Sequence, residues 1–127
     1  MEDVKQVIVI RKDLKMRSGK IGSQTAHASM KVFFDQASIS KNKMTIDLTE
    51  PMKIWSEGAF AKIVVYVNSE AELLEIYQKA LAANLPCSLI IDAGRTEFHG
   101  VATKTAVAVG PDYVSKIDKI TGSLPLM

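Results

Sequence analysis

Apolar and polar positions change period several times along the chain, and each change marks an element. VKQVIVIRKD, residues 4–13, opens on a β-branched run flanked by charges, the pattern of a buried strand. In SGKIGSQTAHASMKVFFDQA, 18–37, apolar and small residues fall at 21, 25, 28 and 32 and again at 26, 30, 33 and 37. Two faces can therefore pack, while Lys20, Gln24, His27, Lys31 and Asp35 form a third stripe at spacings of three and four. This predicts a helix covered on most sides, with Ser18 as its N-cap. Residues 38–58 carry no regular period and read as a long excursion holding a short helix, with Pro51 in its first turn and Gly58 as its stop. Trp55 would anchor that excursion to the core.

FAKIVVYVN, 60–68, is a strand, and SEAELLEIYQKALAAN, 69–84, is the clearest helix in the chain. Ser69 and Glu72 form an S-x-x-E capping box, and Asn84 is its C-terminal stop before Leu85-Pro86. CSLIID, 87–92, is a third strand running into the turn DAGRTEF. TKTAVAVGP, 103–111, is a fourth, closed by Gly110-Pro111, and YVSKIDKITG, 113–122, a short terminal helix. Strands separated by helices pair in parallel through crossovers. The strands at 5–11, 61–67 and 87–91 are thus expected to be parallel and covered by helices. No helix separates the last strand from its predecessor, so it is expected to be antiparallel. The predicted fold class is α/β, a mixed four-stranded sheet with three parallel strands.

At 127 residues, with 47% hydrophobic and 24% charged positions, the composition is that of an ordinary globular domain, and residues 1–127 read as one domain. No apolar run approaches the roughly 18 residues that span a bilayer, so no membrane partner is expected. MEDVKQ carries two acids and no apolar block, unlike a secretory leader, and cytoplasm is the expected location. Cys87, the single cysteine, can form no internal disulfide and reads as a small buried hydrophobe rather than a nucleophile.

Charge changes the picture more. Residues 11–20, RKDLKMRSGK, hold five cations and one acid, +4 in ten positions, against −2 for the rest of the chain. Lys15, Arg17 and Lys20 sit beside a helix start, where the macrodipole is already positive. Such a patch is either a solvated loop or a site for a phosphate-bearing partner. Ligands of open α/β sheets bind outside the carboxyl ends of the parallel strands. The loop 12–20, the turn DAGRT and the start of the last strand all reach that edge. One rim would then hold Lys15, Arg17, Lys20, Asp92, Arg95, Thr96 and Thr105, which suits an anionic substrate and a hydrolytic or proton-transfer step. Asp92 could equally just cap its turn, and Gln24 and His27 could be the wet side of the helix. Gly94 would serve a backbone position needing positive φ. Two histidines and one cysteine make no conventional zinc site, and no Walker, GxGxxG or GxSxG motif occurs.

DLKMRSGKIGSQTAHA, with DAGRTEF, AVGP and IDKITGSL after it, resembles the type 2 peptidyl-tRNA hydrolases of archaea and eukaryotes. The resemblance covers most of the chain and least of 38–58. It implies a compact α/β/α sandwich with a mixed four-stranded sheet, usually a homodimer, that cleaves the ester joining a peptide to the terminal ribose of tRNA without an obligatory cofactor. Lys20, Gln24 and His27 stand where the family's helix-start motif has the same types, Lys15 matches its first lysine, and Asp92, Arg95 and Thr96 match its aspartate-glycine-arginine-threonine turn. Arg17 and Ser18 replace a more usual glycine and lysine. TEFHGVATKT departs from the family's pattern and is one residue longer, so either Thr103 or Thr105 corresponds to its active-site threonine. The roles implied are catalytic for Lys20, Asp92, Gln24 and Thr96, and substrate-binding for Lys15, Arg17, His27, Arg95, Thr103 and Thr105. That departing loop also leaves open a non-catalytic RNA-binding or protein-interaction module on the same fold.

Overall fold

The structure, a computed structural model, describes residues 2–95 and 97–127. The first β-branched run forms β1 (Val4–Arg11), and a 3-10 turn at Lys12–Leu14 leads to α1 (Ser18–Phe34). The excursion contains a hairpin, β2 (Ser38–Ser40) and β3 (Lys43–Thr45), followed by α2 (Glu50–Glu57). Then come β4 (Lys62–Val67), α3 (Glu70–Ala82), β5 (Cys87–Asp92), β6 (Thr103–Tyr113) and α4 (Val114–Thr121).

The main sheet has the order β4-β1-β6-β5. Among the described residues, only β1 and β4 pair in parallel; β6 pairs antiparallel with both β1 and β5. This corrects the expectation that the strands at 5–11, 61–67 and 87–91 all pair in parallel. β5 does run in the direction of β1 and β4, but β6 lies between them. Burial gives the reason: β6 is buried at eight consecutive residues, Thr105–Asp112, which suits a strand covered on both faces and flanked on both sides. β5, with Ile91 exposed, takes the edge instead. The carboxyl ends of β1, β4 and β5 and the start of β6 meet at one edge of the sheet, through the pairs Arg11↔Val67 and Asp92↔Thr103.

Alternation along the strands divides the core. Ile8, Ile10, Ile90, Ala106 and Ala108 face Ala28 and Val32 of α1 and Met52 of α2. Val7, Val9, Val65, Val107 and Val109 face Leu73, Ile76 and Ala80 of α3 and Ile117 of α4. Helices thus cover both faces. Ala28, Ala106 and Ala108 let α1 lie close on the sheet, close enough for Ser88 Oγ to donate to the Ala28 carbonyl at 2.8 Å.

Local chemistry sets the boundaries. Ser69 accepts from the Glu72 N–H at 3.1 Å, and Glu72 in return accepts from Asn68 N–H at 2.7 Å, closing a capping box one residue early. Asn84 adopts φ +57°, the left-handed conformation that ends α3. Thr49 caps α2, and Trp55 donates to the Ala61 carbonyl at 2.8 Å while stacking on Phe33. Two boundaries differ from expectation. The N-cap of α1 is Arg17, with Ser18 already helical and no side-chain cap bond. β6 continues through the cis Gly110-Pro111 bond to Tyr113, since Gly110 (φ +94°) packs directly under Ile117. The free edge of β4 is closed by the C-terminal tail, with Tyr66 N–H donating to Pro125 and Met127 N–H to Val64.

Candidate active site

Three elements converge at the shared sheet edge. β5 ends on Asp92, α1 brings Lys20 in its first turn and Gln24 one turn later, and β6 brings Thr105. Lys20 Nζ lies 2.9 Å from Asp92 Oδ1, and Gln24 Nε2 donates to the same oxygen at 3.3 Å. The Gly94 N–H donates to Asp92 Oδ2 at 2.8 Å. Thr105 Oγ1 donates to Gln24 Oε1 at 2.6 Å. Gln24 and Thr105 are completely buried, whereas the Lys20 and Asp92 side chains keep 11% and 13% exposure, so the pair opens to the rim.

The carboxylate fixes the orientation of everything behind it. An ionised carboxyl only accepts, so Gln24 must present its amide nitrogen to Asp92. Its oxygen then faces Thr105, whose hydroxyl must donate. Asp92 is itself tuned by opposing effects. Burial works to raise its pKa, but the hydrogen bonds from Lys20 and the Gly94 amide, the charge of Lys20 and the Gln24 amide together hold it below its ordinary value. At neutral pH Asp92 is therefore a carboxylate. Gly94 must be glycine here: its φ is +81°, and a Cβ would fall 2.2 Å from the Val101 carbonyl oxygen.

The remaining residues of the expected rim spread outward. Arg17 is exposed and donates through Nε to Glu97 at 2.7 Å, while its backbone N–H reaches Glu97 Oε2 at 3.4 Å. That link holds the Glu97 carboxyl below its usual range. Lys15 is exposed in a left-handed conformation after the 3-10 turn, and Arg95 is exposed beyond Gly94. His27 lies on the outer face of α1, in a groove beside β5, outside the network. Thr103 donates to the Val101 carbonyl in its own loop, so Thr105 is the threonine that reaches the network. Thr96 lies outside the described residues. Among the described residues, no three His, Cys, Asp or Glu side chains gather as a metal site. Cys87 is half-buried with its thiol pKa raised by burial, the state of an inert packing residue.

Two neighbours were not among the residues expected at the rim. Glu97 meets Arg17, and the Phe98 ring lies 5.6 Å from Lys20 Nζ. The signal available was their position: an acid and an aromatic directly after DAGRT, in a loop that had to return to the same edge.

A family model described as "Peptidyl-tRNA hydrolase PTH2" matches residues 4–127, which takes in every residue of this network. The chain belongs to the PTH2 family. A peptidyl-tRNA hydrolase of Methanocaldococcus jannaschii is 46% identical over 124 residues, covering 98% of this chain and 100% of that protein. One from Sulfurisphaera tokodaii is 42% identical, covering 97% and 98%. A solved structure of a protein of unknown function from Agrobacterium, Atu0240, superposes with a TM-score of 0.59 over 100% of this chain and 99% of its own. At 16% identity that likeness speaks to fold alone.

Proposed function

We infer that this chain hydrolyses the ester between a peptide and the 3′-terminal ribose of tRNA, releasing free tRNA and peptide, with Lys20 and Asp92 at the reacting centre. The observation that carries the reading is the Lys20–Asp92–Gln24–Thr105 network, in a chain that shares nearly its full length with peptidyl-tRNA hydrolases. Lys20, held at 2.9 Å by Asp92, is placed to stabilise the oxyanion that forms when water adds to the ester carbonyl. A carboxylate with a lowered pKa is a weak base. Asp92 therefore orients the water and fixes Lys20 rather than carrying the proton away. Gln24 and Thr105 act behind it as positioning residues. Collapse of the tetrahedral intermediate expels the ribose oxygen, which is protonated. One water is consumed, and the peptide carboxylate appears with one proton released to solvent.

Lys15, Arg17 and Arg95 supply positive charge on the rim for the acceptor phosphates, next to the α1 N-terminus, whose dipole adds to it. No helix among the described residues is long and apolar enough to cross a membrane. The reading places the enzyme in the cytoplasm, where its substrate arises, as a homodimer. Exposed Ile39, Met44 and Leu48 on and after the β2–β3 hairpin are consistent with contact to a second copy.

The test is hydrolysis of an N-blocked aminoacyl-tRNA beside its free-amine counterpart. Cleavage of the blocked form is expected, with Lys20→Ala and Asp92→Ala each lowering kcat by about 10²–10³ while the folded circular-dichroism spectrum persists. Wild-type rates in both variants would overturn the assignment. Salt-dependent RNA binding without cleavage would instead identify a non-catalytic module, a reading that the intact network does not favour.

A further inference from the structure

Two edges of the sheet differ. The β4 edge is closed by the C-terminal tail, whereas among the described residues β5 has a strand neighbour, β6, on one side only. Beside that open edge, α1 and β5 enclose a groove of about 520 Å³, within the range of peptide-sized and ligand-sized sites. Its walls are His27, Met30 and Phe34 from α1 and Ile90 and Ile91 from β5, with the strand register shifting between the two isoleucines. Met30, Phe34 and Ile91 are each more than half exposed.

We propose that this groove binds the peptide moiety of the substrate, as an extended chain added to the open edge of β5. The inference rests on the ester-hydrolase reading of the preceding subsection, and continuity with that site is its main support. α1 and β5 supply both the groove and Lys20, Gln24 and Asp92, and the lining residues nearest that network, His27 and Ile91, stand three positions after Gln24 and one before Asp92. Its charge separates it from the tRNA side. Lys31 is paired with Asp35 at 2.8 Å, which leaves the groove without the local excess of cations carried by residues 11–20 on the rim. Phosphates are drawn to the rim, and an uncharged peptide backbone fits the groove.

Direction and length also agree. The peptide ends in the ester at Asp92, so its N-to-C direction matches that of β5 and the pairing is parallel. From Lys20 to Phe34 along α1 is about 21 Å at the rise of a helix, enough for about six residues of extended chain. The charged side chains lining the groove, Lys31 and Asp35, are paired with each other, and main-chain pairing with apolar contacts accepts many sequences. A second copy of the chain fits the face less well. Three half-exposed side chains of about 200 Å² each offer on the order of 300 Å², short of the ~800 Å² per partner of a stable interface.

The experiment compares an N-acetyl aminoacyl-tRNA with an N-acetyl pentapeptidyl-tRNA carrying the same last residue. Wild-type kcat/KM should favour the longer substrate, and Met30→Gln/Phe34→Gln should lower kcat/KM for it about tenfold. The same variant should leave the single-residue substrate unchanged. N-methylation at alternate peptide positions should weaken turnover in one register and not in the next, because alternate N–H groups face the strand edge. Cleavage of both substrates with no dependence on length, variant or methylation register would overturn the groove and leave the reaction standing. Cleavage of neither by wild type would sink the reaction itself. Equal loss on both substrates, with a fall in sedimenting mass, would assign the face to a second copy and refute the proposal.

Discussion

Thr105→Val removes one hydroxyl from the deepest part of the site with almost no change of shape. Thr105 and Gln24 are fully buried, and the hydroxyl donates to Gln24 Oε1 at 2.6 Å. Two losses combine: a net hydrogen bond, and an amide oxygen left without its donor in a dry pocket. Together they cost about 1–3 kcal/mol. The amide cannot escape by flipping, because its oxygen would then face the Asp92 carboxylate. Unfolding entropy for a chain of 127 residues is about 0.27 kcal/mol per degree, so Tm should fall by about 4–11 °C. Denaturant unfolding should show a lower midpoint at unchanged m. On tRNA substrate, kcat should fall severalfold as Gln24 loses its fixed orientation, while KM holds, since a fully buried hydroxyl touches no RNA. A double-mutant cycle sharpens the test. In a Gln24→Leu background there is no acceptor to orphan, so Thr105→Val should then cost little, giving a coupling of about 1–2 kcal/mol. A cost below about 0.5 kcal/mol, equal in both backgrounds, would refute the orientation argument.

Acid titration follows the inner pair. Asp92 has a native pKa below its ordinary 3.8, so its contribution to stability is full above that value and is lost as pH falls through the native one. Lys20→Met removes both the bond and the charge, so the Asp92 pKa should rise in a carboxyl-carbon NMR titration. The stability gap to wild type should be widest at neutral pH and close as both proteins protonate Asp92 in acid; parallel stability curves from pH 7 to the acid limb would contradict this. At the rim, Glu97→Gln removes the carboxylate that holds Arg17. KM for tRNA should fall severalfold and the salt dependence of binding steepen by about one phosphate contact, with kcat unchanged. An unaltered KM and salt slope would show that Arg17 faces no phosphate.

Legibility followed the range of the forces involved. Ser69 with Glu72, Asn84, Pro51 and Gly58 act within one helical turn, and each stands at the boundary its chemistry predicts. The β2–β3 hairpin turns on Lys41 and Asn42, both at positive φ, a weak signal inside a polar stretch with no alternation long enough to read. The place of β6 was less accessible still. Its apolar run Ala106–Val109 suits burial on two faces, but nothing local says which strands flank it. Strand pairing gives Thr103 and Thr105 different neighbours. Thr103 pairs opposite Asp92 and bonds within its own loop; two residues on, past the register shift of β5, Thr105 meets Gln24.

The cations at the start of α1 find their explanation in the loop that β6 forces into place. A helix start is already positive, and Arg17 and Lys20 there repel both the dipole and each other. The β5–β6 connection brings two carboxylates back to that point, Asp92 to Lys20 and Glu97 to Arg17. The two links are not equivalent. Asp92 is held by Lys20, Gln24 and the Gly94 amide in a nearly closed pocket, so replacing Lys20 or Gln24 leaves the other aimed at Oδ1 and the Gly94 amide at Oδ2. Arg17 is 81% exposed and holds Glu97 at the surface, where water and salt compete for the guanidinium. On the function proposed above, an arriving phosphate would displace Glu97 from Arg17 without disturbing Asp92 and Lys20. The inner pair would stay set for the ester while the outer pair exchanges one anion for another.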